Sequence, residues 1–255
     1  MRHTPAMQIG NRSELAVIGL EGRVEERDDH VVATWGALPD FAGGNKLVFA
    51  APPGPGDLER WEALFADALP AAPHRSFAWE GAEGETAPFV AAGYELSRCA
   101  VLVTSSPPTD PPRASGRVEV RALDGPAEWR AVIDGARSDF GARRTRRFRA
   151  LVEAGHGLWF GAFLDGRYVA GLGIFGAGGL ARYQEVVTLP DFRGRGIGGR
   201  LVAEAGRQAM ERLAARRLVI VAEQGSSAER IYRAAGFEPV GQMYEVVRMP
   251  GGPGG

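Results

Sequence analysis

The chain has 255 residues, long enough for one large or two small domains, and its 45% apolar residues are ample for a buried core. Thirty Lys and Arg against 31 Asp and Glu leave a formal net charge of −1, which gives no reason to expect nucleic acid or an anionic membrane as a partner. A single cysteine, Cys99, excludes an internal disulfide and a cysteine-cluster metal site; with neither a ~20-residue apolar span nor a signal-peptide core, a soluble cytoplasmic protein is expected.

Before residue 45 the pattern offers only a charged turn at 25–30 and a strand at 31–35. Residues 46–50 read as a strand and 51–56 as a proline-glycine loop. Asp57 then caps a helix whose Leu58, Trp61, Leu64, Phe65 and Leu69 share one face. A strand at 77–79, a short helix at 87–92 and a strand at 96–103 follow. Residues 104–116, T-S-S-P-P-T-D-P-P-R-A-S-G, have the composition of an extended linker. The expected organisation is an N-terminal domain at 1–103, a second domain at 117–250 and a flexible tail at 251–255.

In the second half, residues 117–123 alternate as a strand, and Pro126 starts a helix with Trp129, Val132 and Ile133 inward. The next helix carries Arg143, Arg144, Arg146, Arg147 and Arg149. Two readings stay open: a solvated helix face, or a clamp that grips an anionic acceptor or a phosphate through forked hydrogen bonds. Strands at 158–164 and 167–175 flank Asp165-Gly166, a strong hairpin signal, and with 181–189 they form an antiparallel meander. Residues 197–213 have helical spacing, and 217–223 suit a buried parallel strand. A last strand at 240–249 is expected to close this sheet.

Between the strand ending at Leu189 and the helix lie Arg193, Gly194, Arg195, Gly196, Ile197, Gly198 and Gly199. Glycines there let backbone amides face an anion at the positive end of a helix. A mononucleotide P-loop requires Gly-Lys-Ser/Thr, which is absent. Gly194, Gly196 and Gly199 satisfy a dinucleotide G-x-G-x-x-G, with Glu223 as a candidate ribose ligand. Against it, residues 190–193 separate strand from glycine, too little chain follows Glu223, and a meander stands where crossover helices belong. The third design is R-x-x-G-x-G, at Arg193, Gly196 and Gly198, preceded by V-x-L-P-D-F and followed at 228–238 by A-E-R-I-Y-R-A-A-G-F-E. Over residues 116–249 these motifs resemble the GNAT superfamily of N-acetyltransferases.

The resemblance implies an α/β (α+β) fold with a mixed, mostly antiparallel sheet flanked by helices. It also implies acetyl-CoA as donor, a primary amine as acceptor and no metal. Backbone amides of Arg195, Gly196, Ile197, Gly198 and Gly199, with Gly194 and the charge of Arg193, would hold the pyrophosphate. The backbone of Val186, Val187 and Thr188 would run along the pantetheine arm. Tyr232 corresponds to the family's general acid, or is a packing tyrosine; Glu185 is the candidate base, or an ordinary strand carboxylate. Arg182, Tyr183 and Gln184 line an acceptor pocket or alternate across the sheet, and His156 reads as structural. The sequence departs from the pattern at Gly225, flanked by Gln224 and Ser226, where many relatives carry asparagine. A binding-only acetyl-CoA sensor or interaction protein is the alternative to an enzyme.

The first half echoes the second: residues 91–95, A-A-G-Y-E, match 234–238, A-A-G-F-E, and Gly56 stands as far before Gly93 as Gly199 before Gly236. This reads as a smaller, degenerate repeat, the alternative being coincidence between Ala- and Gly-rich segments. In its loop Pro52, Pro53 and Pro55 have no N–H, and Asp57 brings a carboxylate to the helix start, so one donor site per chain is expected.

Overall fold

The computed structural model describes residues 7–111, 118–135 and 138–251. The chain divides into two compact units, Met1–Val101 with Val240–Gly255, and Leu102–Pro239. The first contains α1 (Ile9–Ile18), β1 (Arg23–Glu26), β2 (His30–Thr34), β3 (Lys46–Phe49), α2 (Asp57–Ala68), β4 (Arg75–Glu80), α3 (Ala87–Ala91) and most of β5 (Glu95–Thr104). Helix α2 connects β3 to β4, which run parallel with Leu47 opposite Phe77. Phe49, Trp61, Phe65, Phe77, Trp79 and Phe89 form an aromatic core on one face of the sheet.

Helix α1 is absent from the sequence expectation, and its capping explains why. Gln8, at its N-cap, makes no side-chain cap bond. The Glu80 carboxylate accepts instead from the Gly10 N–H at 3.1 Å and the Asn11 N–H at 2.7 Å. A Cβ at Gly10 would fall 2.8 Å from both Glu80 Oε1 and Val101 Cγ2, so glycine is required there. A cap supplied from the end of β4 leaves no local signature.

The last strand, β11 (Glu238–Arg248), corrects the sequence expectation. Residues 240–249 do not close the second sheet; β11 pairs antiparallel with β4, from Met243 opposite Glu80 to Arg248 opposite Arg75. The reason is burial. Tyr244 and Val246 complete the aromatic core of the first unit, with Tyr244 stacked on Trp79 at 5.6 Å. The alternation of β11 is legible in sequence, but the edge it joins is not a local property.

The second unit contains β6 (Val118–Ala122), α4 (Pro126–Asp134), α5 (Asp139–Glu153), β7 (Gly157–Leu164), β8 (Arg167–Ala177), β9 (Leu180–Thr188), α6 (Ile197–Arg212), β10 (Arg217–Glu223) and α7 (Ser227–Ala234). Its strand order is β10-β9-β8-β7-β6. The ladders from β6 to β9 are antiparallel, and β10 runs parallel to β9. Asp165 and Gly166 have φ of 50° and 77°, the double left-handed conformation of a tight hairpin turn. Opposite Gly171 and Gly173 of β8 stand Val187 and Gln184 of β9, so β9 carries an extra residue. That bulge contains Glu185, with φ of 53°.

The expected linker behaves differently from an extended spacer in its described part. Thr104 still belongs to β5, and the stretch after it docks on α6 and α7. Arg207 donates to the Pro108 carbonyl at 3.3 Å and to the Asp110 carboxylate at 3.4 Å; the Thr109 N–H donates to the Ala235 carbonyl at 3.0 Å. Residues 112–116 lie outside the described residues, as does the expected tail beyond Gly251.

Candidate active site

The site is built on the start of α6. A 3-10 turn, Pro190–Phe192, leads from β9 into Gly194 and Gly196, with φ of 74° and 75°. Both need the left-handed region, which glycine enters without strain. Serines cap α5 and α7, Ser138 accepting from Gly141 and Ser226 from Glu229, whereas α6 has no side-chain cap. Among the described residues, the N–H groups of Gly194, Gly196, Ile197, Gly198 and Gly199 make no hydrogen bond; the helical ladder opens with Arg200 N–H to the Gly196 carbonyl. Uncapped amides at the positive end of a 16-residue helix favour an anion. A Cβ at Gly198 would lie 3.3 Å from Thr188 Oγ1 and one at Gly199 3.0 Å from Pro111 Cγ, so the loop tolerates little side chain. Arg193 donates to the Thr188 carbonyl at 3.1 Å and Arg195 to the Asp191 carbonyl at 2.9 Å, which keeps two cations on the loop.

These amides open into a cleft of about 500 Å³. It exists because β9 and β10 part: their ladder ends at Arg182 opposite Val219, although the strands continue to Thr188 and Glu223. Val186, Val187 and Thr188 line one wall, Ile231 and Tyr232 of α7 the other, and Pro111 the rim. Val187 and Ile231, 49% and 41% exposed, give the cleft an apolar lining. Of the ten residues expected to hold the donor, nine border this cleft; Arg195 does not, its guanidinium being turned to the Asp191 carbonyl and the Phe192 ring.

Tyr232 is 5% exposed and faces the cleft, and burial pushes its hydroxyl up to about 12. Its hydroxyl makes no hydrogen bond among the described residues. Tyr183 differs: its hydroxyl donates to the Val202 carbonyl of α6 at 2.9 Å, a packing arrangement. Glu185 lies outside the cleft lining. The bulge turns its carboxylate to α5, where Arg144 forms an ion pair with it. Burial raises the Glu185 carboxyl, and Arg144 opposes that shift.

Gly225 has φ of 74°, a left-handed position that asparagine also tolerates. Its N–H donates to the Glu229 carboxylate at 2.7 Å while Ser226 caps Glu229, so the departure from the motif leaves an ordered turn before α7. His156 holds a turn through its backbone, accepting from Gly176 at 3.0 Å. Sequence reasoning misses Arg144 as the partner of Glu185, and Pro111 and Ile231 as cleft walls. Of the three only Ile231 leaves a usable signal, an apolar residue beside Tyr232 on a short helix. Among the described residues no helix is long and apolar enough to cross a membrane.

Residues 155–239 match the family model of the acetyltransferase (GNAT) domain. No curated protein sequence matches the chain. Among solved structures, the chain is similar to a GCN5-related N-acetyltransferase from Kribbella flavida, at 21% identity over 97% of this chain and 98% of that one, with a TM-score of 0.68. A functionally unknown conserved protein from Staphylococcus epidermidis gives 16% identity, 90% and 94% coverage and a TM-score of 0.67. A tandem GNAT protein from the clavulanic acid biosynthesis pathway gives 14% identity, 98% coverage of both chains and a TM-score of 0.50. At these identities the likeness is one of fold, and it extends over both halves of the chain.

Proposed function

We propose, for a chain whose residues 155–239 form a GNAT acetyltransferase domain, that it is an enzyme transferring the acetyl group of acetyl-CoA to a primary amine. The observation that carries this reading is the uncapped N-terminus of α6 opening into the cleft where β9 leaves β10. The amides of residues 194–199 suit a pyrophosphate, the parted edge of Val186, Val187 and Thr188 suits an amide-bearing arm laid along it as a strand, and Val187 with Ile231 suits its apolar stretches.

When bound, acetyl-CoA supplies an activated thioester. The residues of the chain would then manage protons and charge. Glu185 takes a proton from the acceptor ammonium, directly or through water, and frees the lone pair that forms the new C–N bond. As the C–S bond breaks, the Tyr232 hydroxyl donates a hydrogen bond to the departing sulfur. A phenol held near 12 stays protonated at neutral pH, so it enters each turnover as a donor. The nitrogen still carries two protons after the attack and sheds one to solvent as it becomes the amide, while the product thiol takes up one through that hydroxyl, which solvent reprotonates.

A binding-only sensor is the second reading, and the engagement of Glu185 by Arg144 outside the cleft is the observation that favours it. Release of free thiol over a panel of amines, run beside calorimetric titration with acetyl-CoA, separates the two. Thiol release with one or more amines supports the enzyme; binding with no release from any amine supports the sensor. Absence of binding overturns both.

A further inference from the structure

We infer that the acceptor is an amine that also carries an anionic group, a carboxylate or a phosphate, and that Arg144 is the residue that selects it. This rests on the acetyltransferase reading above and names its substrate class. Tyr183 reaches α6 from one side of β9, so its neighbours Arg182 and Gln184 face the other side, and the bulge brings Glu185 to α5 there. At that place the Glu185 carboxylate pairs with the Arg144 guanidinium, on the face that Arg182 also meets. Their side chains are 28% and 25% exposed, so water screens the pair only partly. The Phe140 ring, 5.3 Å from Arg144 Cζ, holds the guanidinium from α5 itself.

An acceptor amine arrives as an ammonium and must approach Glu185 to lose its proton. Arg144 occupies Oε2; the ammonium either takes Oε1 beside it or displaces it. In both cases two cations then share one carboxylate in a half-buried place. A purely cationic acceptor adds positive charge beside Arg144 and brings no anion of its own. An acceptor with its own carboxylate or phosphate offsets that charge, because the forked guanidinium pairs with the anion while Glu185 receives the ammonium. The chemistry exchanges one ion pair for two, and Arg144 acts as a specificity residue rather than a reacting group.

The test compares glycine, leucine and glutamine, each beside its α-amide and its decarboxylated amine, with phosphoethanolamine beside ethanolamine as the phosphate arm. Free thiol release is the readout. Carboxylated or phosphorylated amines should exceed their neutral counterparts in kcat/KM by about ten-fold or more, chiefly through KM, and Arg144→Gln should erase that ratio. Arg144→Lys, which keeps the charge and loses the fork, should retain part of it, and thermal melting of both variants confirms that they fold. Preference for carboxylate over phosphate, or the reverse, identifies the anion. If amines are acetylated with no preference for an anionic group, or if the preference survives Arg144→Gln, the inference fails while the acetyltransferase reading stands. If no amine is acetylated, that reading fails instead. Calorimetry of the same compounds on the acetyl-CoA-saturated protein then decides: binding of the anionic amines alone, lost in Arg144→Gln, supports the site, and equal or absent binding overturns it.

Discussion

Tyr232 is a buried and Glu185 a part-buried ionisable group, and burial acts on each in the same sense, disfavouring the charged form. For Tyr232 nothing opposes it, and the hydroxyl stays a donor. Tyr232→Phe removes that donor and little volume, so turnover should fall by about 10²-fold or more with donor affinity unchanged; an unaltered rate where chemistry limits turnover would make Tyr232 a packing residue. For Glu185 burial raises the carboxyl and Arg144 lowers it, the net shift being upward. A base must be ionised to work, so kcat/KM should decline as pH falls through this raised pKa. Arg144→Gln removes the opposing charge and should move that acid limb to higher pH, whereas Glu185→Gln should abolish the limb. A pH profile of kcat/KM shared by wild type and Glu185→Gln would show that Glu185 is not the base.

At the scale of elements, α2 and α6 are the same device in two conditions. Both begin at a left-handed glycine, Gly56 with φ of 77° and ψ of 3°, Gly196 with φ of 75° and ψ of 0°. Each links two parallel strands, β3 to β4 and β9 to β10. At α2 the Asp57 carboxylate accepts from the Gly54 N–H at 2.8 Å, so an anion of the chain itself sits where an external one would bind. Arg60 holds the same carboxylate at 2.8 Å, and the neighbouring cleft is only about 140 Å³. At α6 the amides are bare. Titration of the whole chain with acetyl-CoA should therefore show one site, and Gly196→Asp, which places a carboxylate and a Cβ at the bare end, should abolish it. Two comparable sites, or one that survives Gly196→Asp, would contradict the contrast between the two helices.

At the scale of the molecule, the strand that completes the first unit is the last in the chain. It begins at Glu238, shortly after the helix that carries Tyr232. Tyr244 and Val246 contribute to the aromatic core, each worth roughly 1.5–3 kcal/mol of burial. Lys46, 0% exposed, is held by Glu245 at 2.8 Å and Glu14 at 3.1 Å, which keep its ammonium charged with a pKa raised to about 12. Removing one partner of such a group costs about 3–5 kcal/mol. Deleting residues 240–255 should thus remove much of the first unit's stability, since a whole domain holds only about 5–15 kcal/mol. Three of the five tryptophans, Trp35, Trp61 and Trp79, lie in that unit, so urea unfolding followed by tryptophan fluorescence reads it. An unchanged midpoint would mean that β11 is dispensable there.

Whatever depends on neighbours along the chain can be read from the order of its residues. Glycine spacing at 193–199, the Asp165-Gly166 turn, the amphipathic faces of α2 and α6 and the short helix bearing Tyr232 are all local. The glycine loop at the start of α6, and most of the residues that border its cleft, are therefore legible in the order of residues alone. Whatever depends on distant partners emerges only in the folded chain. The cap of α1 comes from Glu80, the proline-rich segment is docked by Arg207, the partner of Glu185 stands 41 residues earlier on α5, and the sheet that β11 enters is set by an aromatic core built from the first half. A strand's alternation shows which face it buries, but every open edge offers the same amides and carbonyls, and only complementary packing selects among them.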